Sequence, residues 1–129
     1  MKSKSLIDEE LVLAAQNVIR QNYDDIKFNH TVGAAIRCSN GKIYTGVNLY
    51  SIHGACAEQI ALANAITNGE REFKTIVAVR GKNGEEILTP CGNCRQILMD
   101  YAPECEVIIA NDKAFKITEL IPFAYKVEC

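Results

Sequence analysis

Two short cysteine motifs constrain the fold of this chain more than any other feature. The first is Cys56-Ala57-Glu58, and the second is the run Pro-Cys-Gly-Asn-Cys at residues 90–94. Each is followed by a segment with the apolar spacing of an α-helix. Three cysteine thiolates can hold a zinc ion and leave its fourth position to water, as in catalytic zinc sites, whereas structural zinc is usually closed by four protein ligands. A fold that uses both motifs must therefore bring the starts of two helices together.

The spacing within each motif sets a condition on that fold. Cys91 and Cys94 are three residues apart, so their side chains share one face of a helix. Cys56 and Glu58 are two residues apart and would point in different directions on a regular helix. Cys56 must therefore be a helix cap. Helix starts carry partial positive charge and free N–H groups, which stabilise thiolates and lower their pKa.

Helices and strands alternate along the rest of the chain. Apolar periodicity predicts helices over residues 5–21, 56–68 and 91–101, with Ser5 and Asp8 forming a capping box for the first. Apolar runs predict strands over residues 32–37, 43–47, 75–79, 106–110 and 114–117. Asn40-Gly41 lies between the first two strands and predicts an antiparallel hairpin. We expect a loop over residues 81–90.

This order of elements predicts the α/β class, as a three-layer α-β-α sandwich with a mixed sheet of about five strands. The 129 residues are expected to form a single domain, 1–129. In such sheets, ligands bind beyond the carboxyl ends of the strands. Both cysteine motifs lie at helix starts at that end, so we expect the functional site there.

Composition narrows the classes of partner. The formal net charge is −2 and Lys and Arg form no cluster, which argues against nucleic acid. No apolar run is long enough to span a membrane, and nothing resembles a signal peptide. We therefore expect a cytoplasmic protein whose six cysteines are reduced, the alternative being a secreted disulfide framework. Cys38 and Cys105 are expected to be small apolar residues of the core.

Glu58 and Arg95 are charged side chains beside the cysteines in the sequence. Zinc lowers the pKa of its bound water, and Glu58 can take that proton and return it to the reacting group. The alternative is a first-turn acid stabilised by the helix dipole. We expect Arg95 to draw negative charge away from the thiolates. The alternative for Arg95 is a surface ion pair.

The motifs also carry a family resemblance. Cys-Ala-Glu followed by Pro-Cys-x-x-Cys matches the zinc deaminase signature, with Cys56 in place of the usual histidine. Further similar segments lie at residues 32–36, 45–48, 90–96 and 119–122. The chain thus resembles the cytidine deaminase superfamily along nearly its whole length, and most of all the blasticidin S deaminases. The resemblance implies a cytidine deaminase-like fold, one Zn²⁺ per subunit on Cys56, Cys91 and Cys94, and Glu58 as the proton shuttle.

The same resemblance implies substrate contacts. The Ala57 N–H is expected to bind the pyrimidine carbonyl, and the Thr89 carbonyl is expected to receive the amine. Asn48 matches a residue that grips ribose, but Tyr50 replaces the family's glutamate, as in at least one blasticidin S deaminase line. His30 occupies the place of a Phe beside the base. It is expected to stack on the pyrimidine or contact a carboxylate of a larger ligand, the alternative being an ordinary loop hydrogen bond.

The resemblance extends to assembly and activity. Similar enzymes are tetramers whose carboxyl ends help close the active sites, and Tyr125 matches an aromatic tail position. We therefore expect a homotetramer. The predicted activity is zinc-dependent hydrolytic removal of the 4-amino group from a cytosine nucleoside or cytosine nucleoside antibiotic, with blasticidin S favoured. The alternatives are a cytidine or deoxycytidine deaminase of pyrimidine salvage, and a non-catalytic structural-zinc domain with His53 as fourth ligand.

Overall fold

The computed structural model describes residues 7–126, which form four helices and six strands. The helices are α1 (Glu9–Asn22), α2 (Ala57–Thr67), α3 (Gly92–Tyr101) and α4 (Ile117–Leu120). The strands are β1 (Val32–Cys38), β2 (Ile43–Val47), β3 (Phe73–Arg80), β4 (Glu86–Leu88), β5 (Glu106–Ala110) and β6 (Lys113–Lys116). No helix within this part of the chain combines the length and the apolar character needed to cross a bilayer.

The strands form one mixed sheet in the order β2-β1-β3-β5-β6, with β4 paired to β3. β1 runs antiparallel to both β2 and β3, whereas β5 runs parallel to β3. β4 and β5 pair with different parts of β3, at residues 78–80 and at Thr75 and Ile76 respectively. The predicted α/β sandwich is confirmed, and the sheet has six strands rather than about five.

β4 is the element that the sequence analysis missed, because residues 81–90 were expected to be a loop. Three residues are too few to show a strand period. The strand forms through pairing with β3, where Arg80 lies opposite Glu86. Their side chains form an ion pair of 2.9 Å. A tertiary contact therefore creates this strand.

The helices cover both faces of the sheet. α1 buries Leu11, Ala15 and Ile19 in one core cluster, which also contains Ala35 of β1. α2 and α3 contribute to the cluster that contains Ala34, the preceding residue of β1. Successive side chains of a strand point to opposite faces, so the paired alanines of β1 serve both cores.

The beginning of α1 differs in detail from the prediction. The helix begins at Glu9, and the carboxylate of Asp8 accepts a hydrogen bond of 3.1 Å from the backbone N–H of Leu11. Asp8 also accepts a hydrogen bond from Arg37 of β1, which joins the start of α1 to the sheet. Ser5, the expected cap, lies outside the described residues.

Candidate active site

The two cysteine motifs lie at the starts of two helices that meet on one side of the sheet. Cys56 is the N-cap of α2 and Cys91 is the N-cap of α3, both with extended backbone conformations. Cys94 lies in the first turn of α3 and is 1% exposed. The spacing of Cys56 and Glu58 in the sequence required Cys56 to be a helix cap, and it lies at that position.

The three sulfur atoms lie close enough to share one metal ion. The Sγ–Sγ distances are 3.8 Å between Cys56 and Cys91 and 3.6 Å between Cys91 and Cys94. All three ligand atoms lie within 4.8 Å of one another. Tetrahedral zinc with Zn–S bonds of ~2.3 Å places its sulfur ligands ~3.8 Å apart. The cluster therefore fits zinc without rearrangement of the helices.

The described residues offer this cluster three protein ligands. His53 and Glu58 do not belong to the group of ligand atoms, although both line the adjoining cavity. The alternative of a structural zinc completed by His53 therefore has no support within residues 7–126. Three thiolates with access to a cavity form an open site of the catalytic type.

Glu58 lies beside the cluster in the first turn of α2 and is 7% exposed. Burial raises the pKa of its carboxyl group above the ordinary value, and contact with Cys94 partly opposes that shift. A buried carboxylate beside this group of thiols has the position needed for proton transfer, because it is shielded from bulk water but borders the cavity.

The thiols differ in acidity because their surroundings differ. Burial raises the pKa of Cys94, and the nearby charge of Glu58 adds to that effect. Burial likewise raises the pKa of Cys56. At Cys91 the effect of burial is outweighed by hydrogen bonds from the backbone N–H of Cys94, from the thiols of Cys94 and Cys56, and from the backbone N–H of Asn93, so its pKa is lowered. A divalent cation would override these differences, since a coordinating thiol is deprotonated.

One further hydrogen bond reaches the cluster from α2. The side-chain amide of Gln59 donates to Sγ of Cys94 at 3.6 Å. A donor to a thiolate reduces the negative charge that the sulfur gives to a metal. The three thiols gathered in this way form a donor set that suits a cation.

A cavity of about 360 Å³ opens in front of the cluster. Its volume is within the range of small-molecule sites. The predicted site residues that line it are Asn48, Tyr50, Cys56, Ala57, Glu58, Thr89 and Cys91. Other lining residues had no role in the sequence analysis, among them Val32, Leu49, Gln59, Leu88 and Asn93.

Asn48 is held in place by the chain around it. Its Oδ1 accepts hydrogen bonds from the backbone N–H groups of Thr31 at 2.8 Å and Val32 at 3.0 Å. These bonds place the amide oxygen against the backbone and leave the NH₂ group as the part that can donate to a ligand.

His30, Arg95 and Tyr125 are the predicted site residues that do not line the cavity, together with the buried Cys94. Nδ1 of His30 donates to the backbone carbonyl of Asn48 at 2.7 Å. The guanidinium of Arg95 donates to backbone carbonyls. Tyr125 is 72% exposed, and its carbonyl accepts a hydrogen bond from Gln96.

Comparison with known proteins agrees with this geometry. The model of the family described as "Cytidine and deoxycytidylate deaminase zinc-binding region" matches residues 6–110. This chain belongs to that family. It is a zinc-dependent hydrolytic deaminase, as the resemblance in the sequence implied.

Individual relatives support the assignment over most of the chain. A blasticidin-S deaminase of Bacillus cereus is 44% identical over 130 residues, covering 92% of this chain and 91% of that protein. A probable cytidine deaminase of Dictyostelium discoideum is 37% identical over 110 residues, covering 82% and 73%. The crystal structure of a cytidine deaminase from Mycobacterium leprae has a TM-score of 0.75 and 28% identity, covering 88% and 96%. The deaminase fold is thus shared along the chain.

Sequence analysis of this deaminase missed several cavity residues for an identifiable reason. Leu49 and Asn93 each lie next to or within a motif that was recognised, but their side chains are of types that carry no catalytic chemistry. Their proximity to Asn48 and Cys91 was the available indication. Leu88 belongs to β4, and its place at the cavity depends on the pairing of β4 with β3.

Proposed function

We propose that this deaminase removes the 4-amino group of a cytosine nucleoside antibiotic of the blasticidin S type, releasing ammonia. The observation that carries the proposal is the cluster of three thiols with buried Glu58 beside it, facing a cavity lined by Tyr50. Tyr50 stands where the family's ribose-binding glutamate is expected. The relative at 44% identity is a blasticidin-S deaminase, which supports the antibiotic over cytidine.

In this proposal Cys56, Cys91 and Cys94 hold the zinc ion. Zinc bound there supplies a Lewis acid that lowers the pKa of water and so generates a nucleophile near neutral pH. Glu58 accepts a proton from the attacking water and delivers it to the ring nitrogen. It then accepts the proton of the hydroxyl group added at C4 and delivers it to the amine, which leaves as ammonia while the C4 carbonyl forms. Its burial keeps bulk water from competing for that proton.

Backbone and side-chain groups at the cavity position the substrate. The Ala57 N–H donates to the pyrimidine carbonyl, and the Thr89 carbonyl accepts from the amine. The NH₂ group of Asn48 donates to the sugar portion, supported by the hydrogen bonds that hold its Oδ1 against Thr31 and Val32. His30 contributes through its hydrogen bond to the Asn48 carbonyl, which orients that residue.

The proposal includes a cytoplasmic homotetramer that confers antibiotic resistance. Support for assembly comes from an apolar groove of about 340 Å³ on the outer side of α2 and α3, which contains Leu62, Ile66, Ile97 and Tyr101. The segment of residues 48–55, between β2 and α2, also exposes Leu49, Tyr50 and Ile52, at 50%, 77% and 96%. Exposed apolar residues that lie close together are found at protein interaction sites. Tyr125 in the exposed tail segment is proposed to act within the assembled enzyme.

A side-by-side assay tests the substrate. The zinc-loaded protein is given blasticidin S and cytidine separately, and loss of the cytosine chromophore is followed in the ultraviolet at several concentrations. We expect a higher kcat/KM for blasticidin S. A higher value for cytidine would retain the chemistry and assign the enzyme to pyrimidine salvage, with Tyr50 as a tolerated variation.

The variant Glu58→Gln tests the chemistry. The amide keeps the shape of the side chain but cannot accept the proton. We therefore expect kcat to fall by about 10²- to 10⁴-fold while zinc is retained. Glu104→Gln is the matched control, because Glu104 is exposed and does not line the cavity. Normal turnover by Glu58→Gln, with zinc bound by metal analysis, would contradict the proton-transfer role.

A further inference from the structure

Arg95 follows Cys94 directly, yet its guanidinium interacts with the backbone. Nε donates to the carbonyl of Pro90 at 2.9 Å, and Nη1 donates to the carbonyl of Leu120 at 2.8 Å. Among residues 7–126 it forms no ion pair with a carboxylate. The surface ion pair considered from the sequence is therefore absent from the described structure.

The contact with Pro90 acts on the metal-binding turn. Pro90 is buried and immediately precedes Cys91, the N-cap of α3. The backbone N–H of Arg95 also donates to the Cys91 carbonyl at 2.9 Å. Arg95 thus bonds to the carbonyl before Cys91 through its side chain and to the carbonyl of Cys91 through its backbone. Both peptide units beside this cysteine are held by one residue.

The second contact connects the turn to the carboxyl-terminal part of the fold. Leu120 is the last residue of α4, and the final carbonyls of a helix have no partner within the helix. Nη1 of Arg95 satisfies one of them across 25 positions of sequence. The planar fork of an arginine can reach two acceptors at fixed angles, whereas the ammonium of lysine is a compact point charge.

We propose that Arg95 is a positioning residue that fixes the Cys91 thiolate for metal binding by bridging the Pro90 and Leu120 carbonyls. This role depends on the geometry of the guanidinium, in contrast to the charge-withdrawing role expected from the sequence. Within the described residues, the side chain outside the cluster that donates to a sulfur is Gln59, whereas Arg95 donates to carbonyl oxygens. The inference rests on the zinc ligands of the proposed function.

Two variants separate geometry from charge. Arg95→Lys keeps the positive charge but cannot bridge the two carbonyls, and Arg95→Met keeps only the length of the side chain. If geometry matters, both variants release zinc faster than wild type by about 10- to 100-fold, the effect typical of losing a group that orients a ligand. Release is measured with a chromophoric chelator, so no substrate is required.

The absorption spectrum of the cobalt-substituted protein provides the second measurement. Thiolate-to-cobalt charge-transfer bands report on the placement of the sulfur ligands, and we expect them to change in both Arg95 variants. Gln96→Met is the matched control. Gln96 is the next residue of α3, and its side chain donates to the Tyr125 carbonyl at 2.8 Å and to the Asp100 carboxylate at 3.1 Å. Its zinc release and spectrum should equal those of wild type.

The results for the two Arg95 variants and for wild type test different parts of the proposal. If Arg95→Lys has the wild-type spectrum and release rate, charge alone suffices and the positioning role is overturned. The role is also overturned if Arg95→Met behaves as wild type. If wild-type protein fails to bind cobalt at one ion per chain, the proposed ligand set is overturned, and this inference falls with it. Thermal unfolding of each variant followed by circular dichroism verifies that it is folded, and the lysine variant retains the charge and most of the stem.

Discussion

The two faces of the sheet pack helices in different ways. On one face α1 presents a single apolar stripe, and Leu11, Ala15 and Ile19 are completely buried. On the other face α2 also buries apolar residues, but its first turn places Glu58 among them and its cap is Cys56. The α1 face therefore supplies a core, whereas the α2 face combines a core with a chemical site at its end.

A pair of glycines shows how closely both helices approach the sheet. A Cβ atom on Gly33 of β1 would lie 2.6 Å from the carbonyl oxygen of Ala15 in α1. A Cβ atom on Gly46 of β2 would lie 2.6 Å from the backbone nitrogen of Ala61 in α2. A glycine therefore allows one helix to pack closely on each face of the sheet. Of α1 and α2, only α2 carries site residues. Changes on the two faces should therefore have different consequences for function.

Truncation of the α1 face should have the largest effect on stability. Ile19 is completely buried, so Ile19→Ala is expected to lower the free energy of unfolding by about 2–5 kcal/mol. Urea denaturation measures the loss. Leu13→Ala is the control on the same helix, because Leu13 is 51% exposed. Deaminase activity of the folded Ile19→Ala protein should match wild type. A selective loss of kcat would show that the α1 face also contributes to the active site.

Substitutions of Gly33 and Gly46 test the difference between the two faces directly. Gly33→Ala and Gly46→Ala each force a helix away from the sheet, and each is expected to reduce the free energy of unfolding by about 1–3 kcal/mol. Only Gly46→Ala displaces α2 and with it the Cys56 cap. We therefore expect faster zinc release from Gly46→Ala than from Gly33→Ala when both remain folded. Equal rates of zinc release would show that the site does not depend on the position of α2 relative to the sheet.

The smallest effect is expected at the electrostatic contact that joins α1 to β1. The hydrogen bond from Arg37 is the main cause that lowers the pKa of Asp8 below 3.8. A lowered pKa contributes stability that is complete above the unfolded value and disappears as pH falls through the folded value. Asp8→Asn keeps the cap but removes the charge, and should cost roughly 1 kcal/mol at pH 7.

Urea denaturation at neutral and acidic pH measures this contribution. The difference between wild type and Asp8→Asn should shrink to nothing below the folded pKa, because both side chains are then neutral. Glu86→Gln is the control, since its pair with Arg80 is more than half exposed and should contribute little. A difference that persists at low pH would mean that the substitution acts through something other than the loss of the carboxylate charge. Zinc release should not change in Asp8→Asn, as the contact lies on the α1 face.

Most elements were predictable because their causes are local. Residues 32–37, 43–47 and 106–110 were predicted as strands from apolar and β-branched runs. They form β1, β2 and β5, and the only difference is that β1 extends by one residue to Cys38. The starts of α2 and α3 followed from the motifs. β4 was not predictable, because its three residues become a strand only when paired with β3.

The candidate site divides in a similar way. The proximity of the cysteines and the cap position of Cys56 followed from spacing. The partners of His30 and Arg95 did not, because each side chain bonds a carbonyl far along the chain, 18 residues away for His30 and up to 25 for Arg95. Sequence spacing carries no information about the direction of such side chains.

The sequence was enough to identify which thiols are candidates for a metal site, because cysteines at helix starts are local features of two short motifs. It also determined the α/β class, through the periods of its apolar residues. Three features became visible only in the tertiary structure. Glu58 is buried beside Cys94, and Leu88 reaches the cavity because β4 pairs with β3. Arg95 bridges two carbonyls. Those outcomes depend on how separate segments pack, and packing is set by many distant contacts together.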